Sequence, residues 1–252
     1  MLIDTFMFYN ELDTLELRLT VLDPYVDQFV LVESELTHGC QPKELHFQKN
    51  RERFEKWLPK IRHIIVTEEE SPKDDNPWSR EKYQRECILR GLDGIPDDAH
   101  VMVSDVDEIP NMTLVKLPET VCTVHMWMFE YYLDYIFNGE AWFGTVITTC
   151  QLFKRMGPNY FRDNRWKFPV HQFAGWHLSS FGGPERIALK VNTFAHCKDQ
   201  HELPWTSETF EQLVNSGTHT DGKTKLVPRP DHVPLPAPRE FLERFEFFLP
   251  KK

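Results

Sequence analysis

Apolar residues recur along the first hundred residues with two alternating periods. A short apolar run at 2–8 is typical of a strand, and leucines at intervals of three and four follow it, as on one face of a helix. Further runs of strand type lie at 29–32, 64–66 and 101–103, with helical segments around 50–57 and 78–92. Strands separated by helices predict right-handed crossovers and a mainly parallel α/β sheet with helices on both faces.

The second half has a different pattern. Long aromatic and β-branched segments at 121–132 and 143–153 are separated by Asn138 and Gly139, which predicts antiparallel additions to the sheet. Pro184, directly after two glycines, marks a helix start. A second helix is predicted over 207–215, a proline-rich arm over 227–238 and a closing aromatic helix over 239–249.

The composition is that of an ordinary globular protein. Hydrophobic residues make up 40% of the 252 residues and aromatic residues 13%, which is ample for a packed core. The formal net charge is −10. Because no basic block of the kind that neutralises phosphates is present, the sequence argues against a nucleic-acid binder.

The cysteines and the N-terminus bear on the compartment. The 5 cysteines have no CxxC spacing, which favours reduced thiols over a disulfide framework. The N-terminal residues form neither a basic region nor a long apolar stretch, and no run approaches the roughly 18 apolar residues of a membrane span. We therefore expect no integral membrane segment and a cytoplasmic location.

Two acidic side chains end the fourth predicted strand. Asp105 and Asp107 follow the apolar run 101–103 and precede Pro110, so they lie at the edge where open α/β sheets bind ligands. Residues two apart on a strand face the same way, and paired carboxylates suit a hard cation such as Mg²⁺ or Mn²⁺. An isolated Asp-x-Asp triplet more often marks a solvated turn or a cap, so the functional interpretation depends on this position in the sheet.

Several separated segments agree with one family. They are Phe8-Tyr9-Asn10-Glu11 with Leu15 and Arg18, Trp78-Ser79-Arg80-Glu81 with Gln84-Arg85, Ser104 to Pro110, Phe173 to Ser179, and Asn215 to Gly222. In this order they resemble glycosyltransferase family 17, a family of β-1,4-N-acetylglucosaminyltransferases, over nearly the whole chain. The resemblance implies a single GT-A-like domain over 1–252, with a nucleotide-binding half at 1–110 and an acceptor-binding half at 111–252 that includes the C-terminal arm.

The resemblance also implies an inverting sugar transfer from UDP-GlcNAc to a glycan hydroxyl, assisted by Mn²⁺ or Mg²⁺. Asp107 is then the expected direct metal ligand, and Asp105 is expected to contact the metal, a metal-bound water or the nucleotide ribose. A metal held in this way neutralises the diphosphate as the bond to UDP breaks. His177 and His196 are candidates for a third ligand or a phosphate contact, although each could equally be a hydrogen-bonded structural histidine.

An inverting transfer needs a base that takes the proton of the acceptor hydroxyl. Glu185, in the first turn of the helix that starts at Pro184, is the candidate for this role. The helix macrodipole favours acids in the first turn of any helix, so the position alone is also explained without catalysis. Glu108 and Asp134 are the competing acids.

Four polar residues are candidates for contacts with the donor. Arg80 and Gln84 share a helix face that could meet the nucleotide or diphosphate, or could equally be a solvated face. Asn10 and Glu33 end the first and second strands at the same edge of the sheet as Asp105, which makes them candidate uridine contacts.

Two other classes of function could use these residues. A glycoside hydrolase needs two carboxyl groups across a sugar and could use Asp105, Asp107 and Glu185. A non-catalytic carbohydrate-binding module would use exposed aromatic rings from 127–135, although most such rings are expected in the core. The ordered family-like segments favour the transferase. The acceptor, the linkage, the exact donor sugar and the oligomeric state are left open by the sequence.

Overall fold

Strands and helices alternate through the first part of the chain, in a computed structural model that describes residues 1–139, 141–195 and 205–250. The elements up to residue 110 are β1 (Leu2–Phe8), α1 (Leu12–Leu22), β2 (Gln28–Ser34), α2 (His46–Lys49), a 3-10 helix (Arg51–Lys60), β3 (Ile61–Val66), α3 (Pro77–Glu86), a second 3-10 helix (Cys87–Leu92), β4 (His100–Asp105) and β5 (Glu108–Pro110). The strand and helix periods read from the sequence are therefore confirmed in this part.

Strands dominate the middle of the chain and helices return after it. The further described elements are β6 (Val121–Glu130), β7 (Tyr132–Ile136), β8 (Trp142–Thr149), α4 (Cys150–Met156), α5 (Pro158–Asp163), a 3-10 helix (Arg165–Lys167), β9 (Val170–His171), β10 (Gly175–Ser179), α6 (Pro184–Thr193), α7 (Ser207–Ser216), β11 (Val227–Pro228) and α8 (Arg239–Leu242). The predicted helix starts at Pro184 and Ser207 are confirmed.

The strand order separates a parallel part of the sheet from an antiparallel part. β4, β1, β2 and β3 are parallel neighbours, and β8 lies beside β4 in the antiparallel sense. β6, β7 and β11 continue the antiparallel part, while β10 runs parallel to β6 and pairs with β5. The expected α/β class, with antiparallel additions in the second half, is confirmed. The functional division at residue 110 stays a prediction.

Apolar side chains pack against both faces of the sheet. Leu2 and Phe6 of β1 belong to a buried cluster that includes the leucines of α1. Ile3, between them on the strand, belongs to a second buried cluster with Ile88 from the 3-10 helix after α3. Successive side chains of a strand point to opposite faces, so the two clusters lie on opposite sides of the sheet. This confirms the expected cover of helices on both faces.

Two boundaries differ from the sequence-based expectation. The predicted strand segment 143–153 ends at Thr149, whose hydroxyl accepts a hydrogen bond from the Leu152 N–H (3.3 Å) and caps α4. The closing helix predicted over 239–249 is only α8, Arg239–Leu242. Phe248 and Leu249 are buried beyond it, so the packing of these side chains against the core determines the path of the chain there, overriding helical propensity.

Among the described residues, no helix is long and apolar enough to cross a membrane. The described cysteines, Cys40, Cys87, Cys122 and Cys150, all carry free thiols.

Candidate functional site: an acidic cleft at the edge of the sheet

A cleft of about 660 Å³ opens at the carboxyl ends of β1, β2 and β4. Tyr9, Thr37 and Asp105 line it at or just after the ends of these strands, and Lys190 of α6 lines it from the second half of the chain. The turn that contains His219 also contributes to the lining. The cleft thus lies where open α/β sheets bind ligands, and both halves of the chain contribute to it.

Arg18 fixes the backbone of the acidic turn between β4 and β5. The side chain is fully buried on α1 and donates two hydrogen bonds to the carboxylate of Asp4, from Nε at 2.8 Å and from Nη2 at 2.6 Å. Its Nη1 donates to the carbonyl oxygens of Asp105 (3.1 Å) and Glu108 (2.7 Å). A buried guanidinium with this many partners holds the turn rigidly, because its planar donors have fixed directions.

Arg162 of α5 neutralises two of the acids. Its Nη1 lies 2.6 Å from Glu108 Oε2, and its Nη2 lies 2.7 Å from Asp105 Oδ2. Glu108 also accepts a hydrogen bond from the indole N–H of Trp142 (2.9 Å) and from the backbone N–H of Asp105 (3.0 Å). Glu108 is fully buried, so it is an internal support of the turn, and this geometry does not favour it as the catalytic base.

The guanidinium groups keep Asp105 ionised. Burial alone would raise the pKa of this carboxyl, but the neighbouring Arg162 and Arg85 outweigh burial and hold the pKa well below its usual range. Arg85 Nη2 lies 3.8 Å from Asp105 Oδ1. That oxygen is buried and has no hydrogen-bond partner within the described residues. It therefore has a free lone pair for a ligand.

Asp107 is paired with a lysine from the other half of the chain. Lys190 Nζ lies 2.8 Å from Asp107 Oδ2 and 3.5 Å from Glu11 Oε1. Burial would raise the pKa of Asp107, but Lys190 and then His177 outweigh it, so the pKa is lowered. In turn, the pKa of Lys190 is raised: burial would lower it, and the Asp107 and Glu11 carboxylates outweigh that. Asp107 and Lys190 are both charged at neutral pH.

His177 lies behind this pair and is neutral at neutral pH. Its Nε2 lies 3.9 Å from Asp107 Oδ1, and its ring stacks on Trp142 with the centroids 4.3 Å apart. Burial lowers the pKa of His177, against the opposing influence of Asp107. A neutral imidazole is the form that binds a metal, and the Nδ1 atom is buried without a partner among the described residues.

The donor atoms of this cluster fit a divalent cation shared with a ligand. Within the ranges that the structure describes, no group of three or more His, Cys, Asp and Glu side chains is arranged to hold a metal. Asp105 and Asp107 nevertheless present ionised carboxylates at the cleft, one with an unpartnered oxygen. Mg²⁺ and its chemical relatives commonly bind one or two protein carboxylates and take their remaining ligands from substrate phosphates and water. His196, the other candidate ligand, lies outside the described residues.

A carboxyl of different character, that of Glu130, lies next to the lining residues Ser179 and His219 without lining the cleft itself. Glu130, at the end of β6, is fully buried, and neither of its side-chain oxygens makes a well-formed hydrogen bond to any described residue. Burial raises the pKa of Glu130 to about 8, against the opposing influence of the Ser180 and Ser179 hydroxyls. His219 Nε2 lies 3.9 Å from Glu130 Oε2. Glu130 is therefore largely protonated at neutral pH.

A family model described as glycosyltransferase family 17 matches residues 1–217. The chain belongs to glycosyltransferase family 17. Similar curated proteins include the β-1,4-mannosyl-glycoprotein 4-β-N-acetylglucosaminyltransferases of Homo sapiens and Rattus norvegicus, at 25% and 24% identity over 290 residues. Each alignment covers 95% of this chain and 52% of the relative, so the chain spans about half the length of the curated relatives it matches.

Two solved structures show partial similarity to this chain. The galactosyltransferase LgtC, in complex with donor and acceptor sugar analogues, has a TM-score of 0.34 at 11% identity, covering 92% of this chain and 98% of that chain. The inositol-1-phosphate CTP transferase from T. maritima has a TM-score of 0.37 at 12% identity, covering 68% and 84%. At these TM-scores the likeness adds no argument. The assignment of this chain to family 17 rests on the family model.

Two of the predicted donor contacts do not face the cleft of this family 17 chain. Glu33 is fully buried: its Oε1 accepts a hydrogen bond from the Phe47 N–H (3.0 Å), and its Oε2 lies 3.1 Å from His63 Nε2. The guanidinium of Arg80 is turned away into the protein and donates to the carbonyl oxygens of His38 (2.6 Å) and Asp74 (2.5 Å). Internal partners occupy both carboxylate oxygens of Glu33 and the Nε and Nη1 atoms of Arg80, so this geometry does not favour the predicted contacts of these residues with a nucleotide.

The other two predicted donor contacts lie at or beside the cleft. Gln84 lines it, with its amide engaged by the Val32 carbonyl oxygen (3.0 Å) and by His38 Nε2 at 3.2 Å. The side-chain oxygen of Asn10 is buried and without a partner among the described residues, but Asn10 is not part of the lining. Gln84 therefore shapes the wall, and the contacts of both residues with a donor stay predictions.

The structure does not bring the predicted base into the cleft. Glu185 lies in the first turn of α6 as expected, but its side chain is exposed and is not part of the lining. Asp134, on β7, is likewise outside the lining. Geometry supports neither acid, and the role of Glu185 stays a prediction.

Sequence reasoning assigned no site role to three basic residues that organise this cleft, Arg18, Arg162 and Lys190. Two of them left a signal in the sequence. Arg18 interrupts the leucine face of α1, and Lys190 falls three residues after Ile187 on the apolar face of α6. A charge on an otherwise buried helix face needs a buried partner. Arg162 left no such signal, because the sequence pattern predicted no helix over 158–163 whose buried face it could interrupt.

Proposed function

We propose that this protein transfers GlcNAc from UDP-GlcNAc to a hydroxyl group of a glycan, with inversion at the anomeric carbon and with Mn²⁺ or Mg²⁺ as the cofactor. The ionised pair Asp105 and Asp107, set at the mouth of the cleft with Lys190 beside it, is the observation on which the proposal depends. The N-acetylglucosaminyltransferase names of the curated relatives support the choice of sugar.

The cleft is suited to a donor whose leaving group is an anion. As the bond between the sugar and UDP breaks, negative charge accumulates on the diphosphate, and positive groups that are already in place stabilise it. Lys190 and Arg85 line the cleft close to the acidic pair, and Lys43 lines it nearer β2. Burial lowers the pKa of Lys43 to about 8, against the opposing influence of Glu33 and Glu11. An anionic ligand beside this lysine would stabilise its charged form.

Asp107 and Asp105 would hold the divalent cation. When bound, that ion supplies the charge that neutralises the diphosphate. The protein residues set up its surroundings: Arg18 holds the backbone of the turn, Arg162 neutralises Glu108, and Lys190 orients the carboxylate of Asp107. In this proposal the acceptor hydroxyl attacks the anomeric carbon, the bond to UDP breaks, and the hydroxyl proton passes to a base, for which Glu185 is the candidate from the sequence.

The hydrolase alternative is less consistent with the same geometry. A hydrolase needs one carboxylic acid that stays protonated and faces its partner carboxylate across the sugar. The pKa values of Asp105 and Asp107 are both lowered, since their basic neighbours outweigh burial. Both groups are therefore anions at neutral pH, which suits cation binding and leaves no proton donor in the pair.

Calorimetric titration of the metal-stripped protein tests the proposal directly. UDP-GlcNAc, UDP-Glc, UDP and GDP-mannose would each be added with and without Mn²⁺. We expect UDP-GlcNAc to bind only with Mn²⁺, and Asp107→Asn to lose that binding at least tenfold, since it removes a charged ligand. Asp134→Asn is the matched control, because Asp134 lies outside the cleft.

Each outcome of this titration has a definite meaning. Equal binding of UDP-GlcNAc by Asp107→Asn and wild type would remove the metal role from Asp107. Absence of nucleotide-sugar binding under all conditions would overturn the proposed donor. Glu185→Gln adds a separate test of the base: donor binding should persist while transfer falls, and unchanged transfer would exclude Glu185.

A further inference from the structure

Three adjoining rings outside the cleft form what we call the aromatic platform: Phe173, which is exposed, Trp127, which is half-buried, and His125, which is buried. The Phe173 ring stacks on Trp127 with the centroids 4.3 Å apart and a 28° angle between the planes. It also lies 4.3 Å from the ring of His125. None of the three residues lines the cleft, so the proposed transfer chemistry leaves the platform unexplained.

Phe173 is held in a conformation that is unfavourable in two respects. Its φ of 50° lies in the left-handed region, where a bulky side chain is rare and strained. Its side chain is also 45% exposed, although burial would stabilise an aromatic ring of this size. Strain of this kind persists where the surrounding structure imposes it, and it is concentrated at functional positions.

Hydrogen bonds on the C-terminal side of Phe173 impose this conformation. The Ala174 N–H donates to the His125 carbonyl oxygen (2.9 Å), and the Asn111 N–H donates to the Ala174 carbonyl oxygen (2.8 Å). On the other side of Phe173, Gln172 Oε1 lies 2.8 Å from His125 Nδ1. The backbone is thus fixed next to the strained residue, and the Phe173 ring projects outward from a rigid base.

Polar groups surround the rings. Gln172 is exposed beside Phe173, and His232 approaches Trp127 from the proline-rich arm with the ring centroids 5.9 Å apart. A flat aromatic surface with a few hydrogen-bonding groups at its rim is complementary to a pyranose ring, which has an apolar C–H face and hydroxyl groups around its edge. A stable protein interface buries about 800 Å² on each partner, far more than three rings provide.

We propose that the aromatic platform binds a hexose ring of a glycan chain, at a position distinct from the residue that receives the transferred sugar. This deepens the proposed function, since it rests on the acceptor being a glycan, but it does not depend on the identity of the donor. Stacking on Phe173 and Trp127 supplies the contact area, and Gln172 and His232 at the rim orient the hydroxyl groups.

The sharpest test removes the Phe173 ring while the backbone keeps its left-handed conformation. Phe173→Asn removes the ring and keeps a residue that tolerates the left-handed region, and Trp127→Ala removes its stacking partner. Binding of a mannose-containing N-glycan core and of a GlcNAc tetramer would be followed by tryptophan fluorescence and ligand-observed NMR, without nucleotide. We expect each variant to bind at least one of these probes about tenfold more weakly than wild type does. Tyr25→Ala, which removes an exposed ring (43%) elsewhere, should bind like wild type.

Three results decide between the possibilities. Equal glycan binding by wild type and both platform variants, or no binding of either probe by wild type, would overturn the proposal. A wild-type dimer that Phe173→Asn converts to a monomer in sedimentation would replace it with a contact between copies. UDP-GlcNAc binding by Phe173→Asn should match wild type, so failure of the donor proposal and failure of the platform proposal are distinguishable. Trp127→Phe, which keeps a ring, should recover most of the glycan binding that Trp127→Ala loses. That recovery would show that the loss comes from the missing ring and not from a folding defect.

Discussion

Carboxyl groups in the cleft and behind its lining differ in protonation. In the cleft, Asp105 and Asp107 are ionised because Arg162 and Lys190 lie within 2.7 Å and 2.8 Å of them. Behind the lining, Glu130 is fully buried and forms no ion pair with a lysine or arginine among the described residues, and burial raises its pKa to about 8. The neighbours, and not the residue type, therefore determine the charge of each acid.

This difference separates the cleft from the protein behind it. The lining combines carboxylates and ammonium or guanidinium groups, which suits a cation and a diphosphate. Asp221, in the same turn as His219, also lines the cleft and is ionised, because hydrogen bonds from Thr224 and Lys223 outweigh burial and lower its pKa. The neutral carboxyl of Glu130 lies next to His219 without lining the cleft.

Removing Arg162, the cation that contacts both Asp105 and Glu108, should have the largest effect. Arg162→Met leaves Glu108 buried without its partner, and we expect a loss of about 3–5 kcal/mol in the free energy of unfolding. Urea denaturation measures this loss. Arg155→Met, at an exposed position on α4, is the matched control and should change stability little. Adding Glu108→Gln to Arg162→Met should recover part of the loss, and no recovery would contradict the pairing.

The raised pKa of Glu130 predicts a pH dependence of the free energy of unfolding, which Glu130→Gln should abolish. The folded pKa of about 8 lies above the ordinary glutamate value of 4.5, so between these values the folded state binds more protons than the unfolded state. Wild-type stability is then full below about pH 4.5 and falls as the pH rises through 8, by a few kcal/mol. Glu130→Gln should lack this loss, as measured by urea denaturation at several pH values. The same slope in Glu130→Gln and wild type would show that Glu130 is not the group responsible, and Glu185→Gln should retain the slope.

Removing Lys190 should have a smaller effect, because Asp107 keeps His177 as a neighbour. Lys190→Met should raise the pKa of Asp107, because the lysine is the nearest cation to that carboxylate. We expect the acid limb of the activity profile to move to higher pH and the affinity for UDP-GlcNAc to fall about tenfold. Lys190→Arg should restore part of the affinity for UDP-GlcNAc and move the acid limb part of the way back. An unchanged acid limb in Lys190→Met would separate Asp107 from the groups that control activity.

Local pattern was sufficient for most secondary structure and for the position of the acidic pair. The strand that precedes Asp105 and the crossovers around it follow from apolar periodicity, which depends only on neighbouring residues. The closing segment shows where this reasoning ends. Its aromatic periodicity predicted a helix, but Phe248 is drawn into the core and the helix stops at Leu242.

The sequence by itself determined the α/β class, the family and the edge of the sheet where Asp105 and Asp107 lie. Only the tertiary structure decided that Arg162 and Lys190 reach those acids, that Glu33 and Arg80 turn inward, and that Glu185 lies outside the cleft. Periodicity reports which face of an element is buried, but a side chain's charge and role depend on contacts between residues far apart in the chain, such as the 83 positions between Asp107 and Lys190.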